Sequence, residues 1–182
     1  MTGVILVLLL FITLPCSYAS QAKNRNNYVE DACSVTRYRN LCIRTLASFS
    51  NTAKHNPSIW ARAGVSVTIG EAKKVSKYLA TNKIALSDCI ESFQDTLDNL
   101  HRSLFVLRKL SILEFTSQLE DVITWVSAAL TDEDTCLDGF YEQKGNHVKF
   151  LTNRVSNVTY MTSNALAIVN KLATTGPECL TN

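Results

Sequence analysis

Apolar residues recur at alternating steps of three and four along four long stretches of the chain, at positions 61–79, 86–107, 115–130 and 151–172. This spacing places the apolar side chains on one face of an α-helix. No stretch of useful length shows the strict alternation of apolar and polar residues that is typical of a strand. The pattern predicts an all-α protein built around an antiparallel up-down four-helix bundle with short connections.

Residues at the ends of these stretches predict where the helices begin and end. Asn56-Pro57 is suited to the N-cap and first position of the first bundle helix. Ser111 and Glu114 have the spacing of a capping box for the third helix, and we expect Leu110–Leu130 to be continuously helical. Gly145-Asn146 is suited to end one helix and to begin the next.

The first residues of the chain have the character of a secretory signal peptide. The apolar run Val4–Leu14 is followed by small residues that suit cleavage after Ala19. The run is too short to span a bilayer as a helix, so we expect a secreted chain that folds in an oxidising compartment. The predicted organisation is a signal peptide, an N-terminal helical hairpin extension, the bundle and a C-terminal tail, at residues 1–19, 20–56, 57–176 and 177–182.

Five cysteines remain after removal of the predicted signal peptide, and sequence alone allows fifteen ways to join four of them in two bridges. Cys89 lies near the start of the second predicted helix and Cys136 lies just past the end of the third, so antiparallel packing would place them side by side. Cys33 and Cys42 flank a segment long enough for a turn between two short helices, which predicts a disulfide-bridged hairpin. Cys179 is then either a free thiol or the link in a homodimer.

Composition and motifs argue against several classes of function. The formal net charge of +2 gives no basic field for nucleic-acid binding. The three histidines, His55, His101 and His147, are isolated in sequence, and no His or Cys pair has metal-ligand spacing. The acidic segment DEDTCLDG lacks the Asp-x-Asp-x-Asp-Gly pattern of a calcium loop. We therefore expect no catalytic residue, no metal and no cofactor.

Acidic residues cluster on two of the predicted helices. Glu91, Asp95 and Asp98 recur at steps of four and three, so they share one helical face. A second group surrounds Cys136 and consists of Asp132, Glu133, Asp134, Thr135 and Asp138. A Cys89–Cys136 bridge would bring the two groups together. They form either a surface that contacts a partner or a solvated face with Thr131 capping a helix.

Two segments, DCIESFQDTLDNL at 88–100 and DVITWVSAALTDEDTCLDGF at 121–140, resemble the plant invertase and pectin methylesterase inhibitor family. The resemblance covers the whole predicted mature chain, including the bridged hairpin and the bundle. The invertase inhibitor branch usually interrupts the third bundle helix with a loop carrying Pro-Lys-Phe, and this chain has no such tripeptide. The chain therefore resembles the pectin methylesterase inhibitor branch, and because no enzyme follows Asn182 we expect a stand-alone inhibitor.

The resemblance implies a partner and a contact surface. The partner would be pectin methylesterase, bound 1:1 in the apoplast or cell wall. The family positions that meet the enzyme correspond to Glu91, Asp95, Asp98, Thr135 and Asp138. Two other functions stay open, namely inhibition of acid invertase and a secreted helical protein that binds a small apolar ligand.

One glycosylation sequon stands in the predicted fourth bundle helix, at Asn157-Val158-Thr159. Asn157 points away from the apolar stripe of that helix, so we expect its side chain to be exposed and to carry a glycan.

Overall fold

The computed structural model describes residues 26–81 and 87–180. The predicted signal peptide lies outside these residues, as does Leu86, the first residue of the second apolar stripe. The side chain of Cys179 is also outside the described part, so its state stays a prediction.

All regular secondary structure in the described residues is helical, and it includes seven α-helices. These are α1 (Asn26–Ala32), α2 (Arg39–Leu46), α3 (Ser50–Ala53), α4 (Pro57–Thr81), α5 (Ser87–Leu107), α6 (Phe115–Asp138) and α7 (Asn146–Thr175). Short 3-10 turns occupy Cys33–Val35, Ala47–Phe49 and Pro177–Leu180. No helix in the described ranges combines the length and the apolar content needed to cross a membrane.

Helices α4 to α7 form a ring in which each packs against its two neighbours, α4 closing the ring against α7. Their directions alternate. Near the start of α4, the Arg62 Nε donates a hydrogen bond of 2.8 Å to the carbonyl of Leu107 at the end of α5. Farther along α4, Glu71 contacts Arg154 in the first half of α7. The predicted antiparallel four-helix bundle is therefore confirmed.

The core of the bundle consists of the predicted apolar stripes. Every predicted stripe residue of α4 is buried, and so is every one of α7. In α7 these are Leu151, Val155, Val158, Thr162, Ala165, Val169 and Leu172. Burial of such side chains contributes about 25 cal/mol per Å² of apolar surface, so the long helices are stabilised mainly by their mutual packing.

The N-terminal hairpin is fixed to the side of the bundle through α7. The Asn164 side chain makes two hydrogen bonds to the backbone of Tyr38, donating to its carbonyl at 3.0 Å and accepting from its N–H at 3.1 Å. The Tyr38 ring stacks on that of Tyr160, with centroids 4.1 Å apart. The predicted bridge between Cys33 and Cys42 is present, with Cα atoms 5.8 Å apart.

Two predicted helix starts can be compared with the structure. The Asn56 Oδ1 accepts a hydrogen bond of 3.1 Å from the Ile59 N–H, and Pro57 opens α4, so this N-cap is confirmed. The capping box of Ser111 and Glu114 is wrong, because α6 begins at Phe115 and Glu114 makes no side-chain cap.

The predicted continuous helix from Leu110 is also wrong, since residues 108–114 form the turn between α5 and α6. The buried positions on either side are Leu107 and Phe115, and the chain must reverse its direction between them. The Gln118 side chain reaches back to this turn, and its Oε1 accepts a hydrogen bond of 2.8 Å from the Ser111 N–H.

The end of α6 also differs from the prediction. The helix extends to Asp138, so Cys136 lies inside its last turn and Gly145 does not end a helix. Gly145 instead precedes α7, where its carbonyl accepts a hydrogen bond of 3.0 Å from the Lys149 N–H. Thr131 is no cap, because its hydroxyl donates to the Ser127 carbonyl one turn earlier in the same helix.

We expect the two disulfides to stabilise the fold unequally. Replacing both Cys89 and Cys136 with serine opens the longer loop and should cost about 4 kcal/mol, against about 2–3 kcal/mol for Cys33 and Cys42, by the chain-entropy model. Thermal and denaturant unfolding of the two double variants measures the difference. An equal or larger loss from the Cys33/Cys42 variant would show that the hairpin, rather than the α5–α6 pair, limits stability.

Candidate functional site

Helices α5 and α6 pack closely along their length, and this pairing positions the candidate site. Cys89 and Cys136 are joined as predicted, with Cα atoms 4.2 Å apart. Two turns farther along α5, the buried Thr96 hydroxyl donates a hydrogen bond of 3.5 Å to the Ala129 carbonyl of α6. Small side chains at these positions allow the two backbones to approach each other.

The outer side of this pair carries the acidic surface, defined here as Glu91, Asp95, Asp98, Thr135 and Asp138. All five side chains are exposed, the first three on α5 and the last two near the end of α6. The Thr135 hydroxyl donates a hydrogen bond of 2.8 Å to the Thr131 carbonyl, so its oxygen still has room to accept one from a partner. The five residues predicted from sequence therefore all face solvent on the paired helices.

Asp132 links the two halves of the acidic surface. Its Oδ2 accepts a hydrogen bond of 3.1 Å from the Asn99 Nδ2 of α5. Burial raises the pKa of the Asp132 carboxyl; the bond from Asn99 opposes this rise, and the negative charge of Asp95 adds to it. Asp95 of α5 and Asp132 of α6 are thus close enough for their negative charges to repel each other.

Glu133 does not belong to the acidic surface, contrary to the sequence-based prediction that grouped it with its neighbours. Its side chain is fully buried between α6 and α7. The Oε1 accepts a hydrogen bond of 2.7 Å from the Thr162 hydroxyl, whereas the Oε2 has no hydrogen-bond partner among the described residues. Loss of water on burial raises its pKa to about 8, although the hydrogen bond from Thr162 opposes the rise.

The spacing of residues along α6 itself indicates that Glu133 is buried in the bundle core. Continuing the α6 stripe at steps of three and four from Val126 gives Ala129, Glu133 and Cys136, and all of them are buried. The prediction followed the apolar Leu130 instead, which is only half-buried. Glu133 continues the α6 stripe, and Thr162 belongs to the stripe of α7. Polar side chains at stripe positions of two packed helices could have indicated a buried hydrogen-bonded pair.

The remaining candidate residues lie apart from the acidic surface. His55, His101 and His147 are exposed and separate, and the described residues hold no cluster of three or more His, Cys, Asp or Glu side chains suited to a metal ion. Asn157 is half-buried rather than exposed. Its Nδ2 donates a weak hydrogen bond of 3.7 Å to the sulfur of Met161, one turn farther along α7.

Comparison with known proteins identifies the family. Residues 27–168 match the model of the plant invertase/pectin methylesterase inhibitor family, over most of the chain. The chain belongs to this family. By its description this is a family of inhibitors.

Relatives within the inhibitor family span most of this chain. It is 48% identical over 162 residues to Pectinesterase inhibitor 6 from Arabidopsis thaliana, covering 83% of this chain and 78% of that protein. It is 37% identical over 174 residues to Pectinesterase inhibitor 3 from the same plant, covering 85% of each. A crystal structure of a pectin methylesterase inhibitor from Arabidopsis thaliana has the same fold, with a TM-score of 0.56 and 21% identity over 80% of this chain and 96% of that one.

The buried Glu133 predicts that this member of the inhibitor family loses stability as pH rises. Below about pH 4.5 the carboxyl is protonated in both the folded and the unfolded chain. Between about pH 4.5 and 8 the unfolded chain releases the proton while the folded chain retains it, so stability should fall by up to about 1.4 kcal/mol per pH unit.

Glu133→Gln removes this titration, so its free energy of unfolding should vary less between pH 5 and pH 8 than that of the wild type. Denaturant unfolding at both pH values measures this, with Glu120→Gln, an exposed change on the same helix, as the control. Parallel pH profiles for the wild type and Glu133→Gln would contradict a buried, proton-retaining carboxyl.

Proposed function

We propose that this chain is a secreted proteinaceous inhibitor of plant pectin methylesterase and not an enzyme. It would dock its acidic surface over the pectin-binding cleft of the enzyme and so limit the de-methylesterification of pectin. The observation that carries the proposal is that the surface expected from the resemblance is exposed on α5 and α6, in a chain 48% identical to a protein named as a pectinesterase inhibitor.

The chemistry of the acidic surface fits a cleft that binds a polymer of uronic acids. Pectin presents carboxylates along its chain, some free and some methyl-esterified. Glu91, Asp95, Asp98 and Asp138 form no ion pair with another described residue, so their charges are available to a partner. The surface would occupy the cleft as a carboxylate-bearing ligand while offering it no methyl ester to hydrolyse.

The place and stoichiometry of action follow from the same proposal. With a cleaved signal peptide, the protein acts in the apoplast or cell wall on one enzyme molecule at a time. Cys179 remains either a free thiol or the link in a homodimer, and glycosylation of Asn157 stays a prediction.

The purified protein should inhibit pectin methylesterase and leave acid invertase active. Both assays are run in parallel over the same range of inhibitor concentrations. Inhibition of invertase alone would support the other branch of the family, and inhibition of neither enzyme would favour a non-inhibitory binding protein.

The contact role of the acidic surface is tested by reversing charge on α5. Asp95→Lys combined with Asp98→Lys should weaken inhibition at least tenfold, about 1.4 kcal/mol of binding free energy, because lysines cannot replace carboxylates in the cleft. Glu120→Lys combined with Asp121→Lys is the matched control, since both residues are exposed near the opposite end of α6. An equal loss in both double variants would indicate a general charge effect and would reject the proposed contact surface.

A further inference from the structure

A groove lies between α4 and α7, on the side of the bundle away from the acidic surface. It has a volume of about 240 Å³ and is lined by Lys74, Val75, Tyr78, Phe150 and Arg154. This volume lies below the roughly 300–1,000 Å³ typical of small-molecule pockets. An open groove of this size suits one unit of a chain molecule better than a complete small ligand.

Two aromatic rings form the apolar part of the groove. The rings of Tyr78 and Phe150 have centroids 5.3 Å apart and are tilted by 58°. Phe150 is 44% exposed, although it lies at a helix–helix boundary where a large apolar side chain would ordinarily be covered. The exposed Phe150 ring offers an apolar surface to a ligand that carries C–H groups on one face.

Two cations stand at the edge of the groove and share one carboxylate. The Glu71 side chain contacts the Lys74 ammonium at 2.8 Å and the Arg154 guanidinium at 3.4 Å. The Arg154 guanidinium also lies 5.1 Å from the centroid of the Phe150 ring. One carboxylate cannot neutralise two cations, so the edge keeps an excess positive charge that would favour an anionic ligand.

The neighbouring sequence adds to this positive charge. Residues 71–81 of α4 contain three lysines and residues 146–156 of α7 contain Lys149 and Arg154, whereas Glu71 is the single carboxylate of the two segments. The groove also lies across the bundle from the acidic surface, because α4 and α7 occupy the side of the ring opposite the α5–α6 pair. A ligand in the groove and an enzyme on the acidic surface could therefore be bound together.

We propose that this groove binds an anionic uronate unit of partly de-esterified pectin, with Arg154 and Lys74 contacting the carboxylate and Phe150 stacking on the sugar face. Arginine and lysine bind carboxylates, and the apolar C–H face of a pyranose fits an exposed ring. The inference rests on the proposed function, since it would hold the inhibitor on the polymer that its target enzyme modifies.

Titration of the mature protein with polygalacturonate oligomers tests the proposal. We expect saturable binding, at least tenfold weaker binding to a fully methyl-esterified oligomer, and at least a tenfold loss for Lys74→Gln combined with Arg154→Gln. Phe150→Leu should cause a loss of several-fold while keeping an apolar side chain. The charge-matched control is Arg39→Gln combined with Arg44→Gln, two exposed changes on α2.

Three results would overturn the proposal. These are no binding of the oligomers, an equal loss in the control, and equal affinity for single-stranded DNA or anionic lipid vesicles, which would indicate unspecific attraction of polyanions. Affinity for pectin methylesterase is measured separately, without pectin, and should be unchanged by the groove variants. If the wild type does not bind the enzyme, the proposed function is rejected. The oligomer titrations still decide, independently, whether the groove binds uronate.

Discussion

The pairing of α5 with α6 is the constraint on which the candidate site depends. The Cys89–Cys136 bridge and the contact of Thr96 with Ala129 align the two helices over several turns. This alignment brings Asp132 of α6 within hydrogen-bond distance of Asn99 of α5, although the two are far apart in the sequence. Exposed carboxylates repel one another, so the covalent link and the close helix packing together oppose the spreading of the surface.

The same helix carries a second carboxyl with a different role. Glu133 faces α7 from the inner side of α6, one residue from the half-buried Asp132 and two from the exposed Thr135. A buried carboxyl is tolerated because it stays protonated and shares a hydrogen bond with Thr162. Ionising this group would place an uncompensated charge in the core, so we expect the bundle to be more stable in acidic than in alkaline solution.

The spacing of apolar residues predicted the four bundle helices. Antiparallel packing predicted the Cys89–Cys136 bridge, and the short segment between Cys33 and Cys42 predicted the other. The rules for helix capping and apolar spacing failed at two places, where a single side chain determines the local structure. Gln118 reaches back to Ser111 and fixes a turn that capping rules assigned to a helix. The predicted α6 stripe ends at Leu130, although continuing it at steps of three and four through Ala129 includes Glu133. The hydrogen bond between Asn99 and Asp132 depends on the relative register of α5 and α6, which the sequence does not specify.

The central claim is that the exposed carboxylates of α5 and the end of α6 contact pectin methylesterase. Carboxyl labelling with a carbodiimide and an amine, read by mass spectrometry with and without bound enzyme, tests it residue by residue. We predict that Glu91, Asp95, Asp98 and Asp138 lose reactivity in the complex, while the exposed Glu120 of α6 keeps its reactivity. Unchanged labelling of those four residues in a formed complex, or protection at Glu120 instead, would contradict the account.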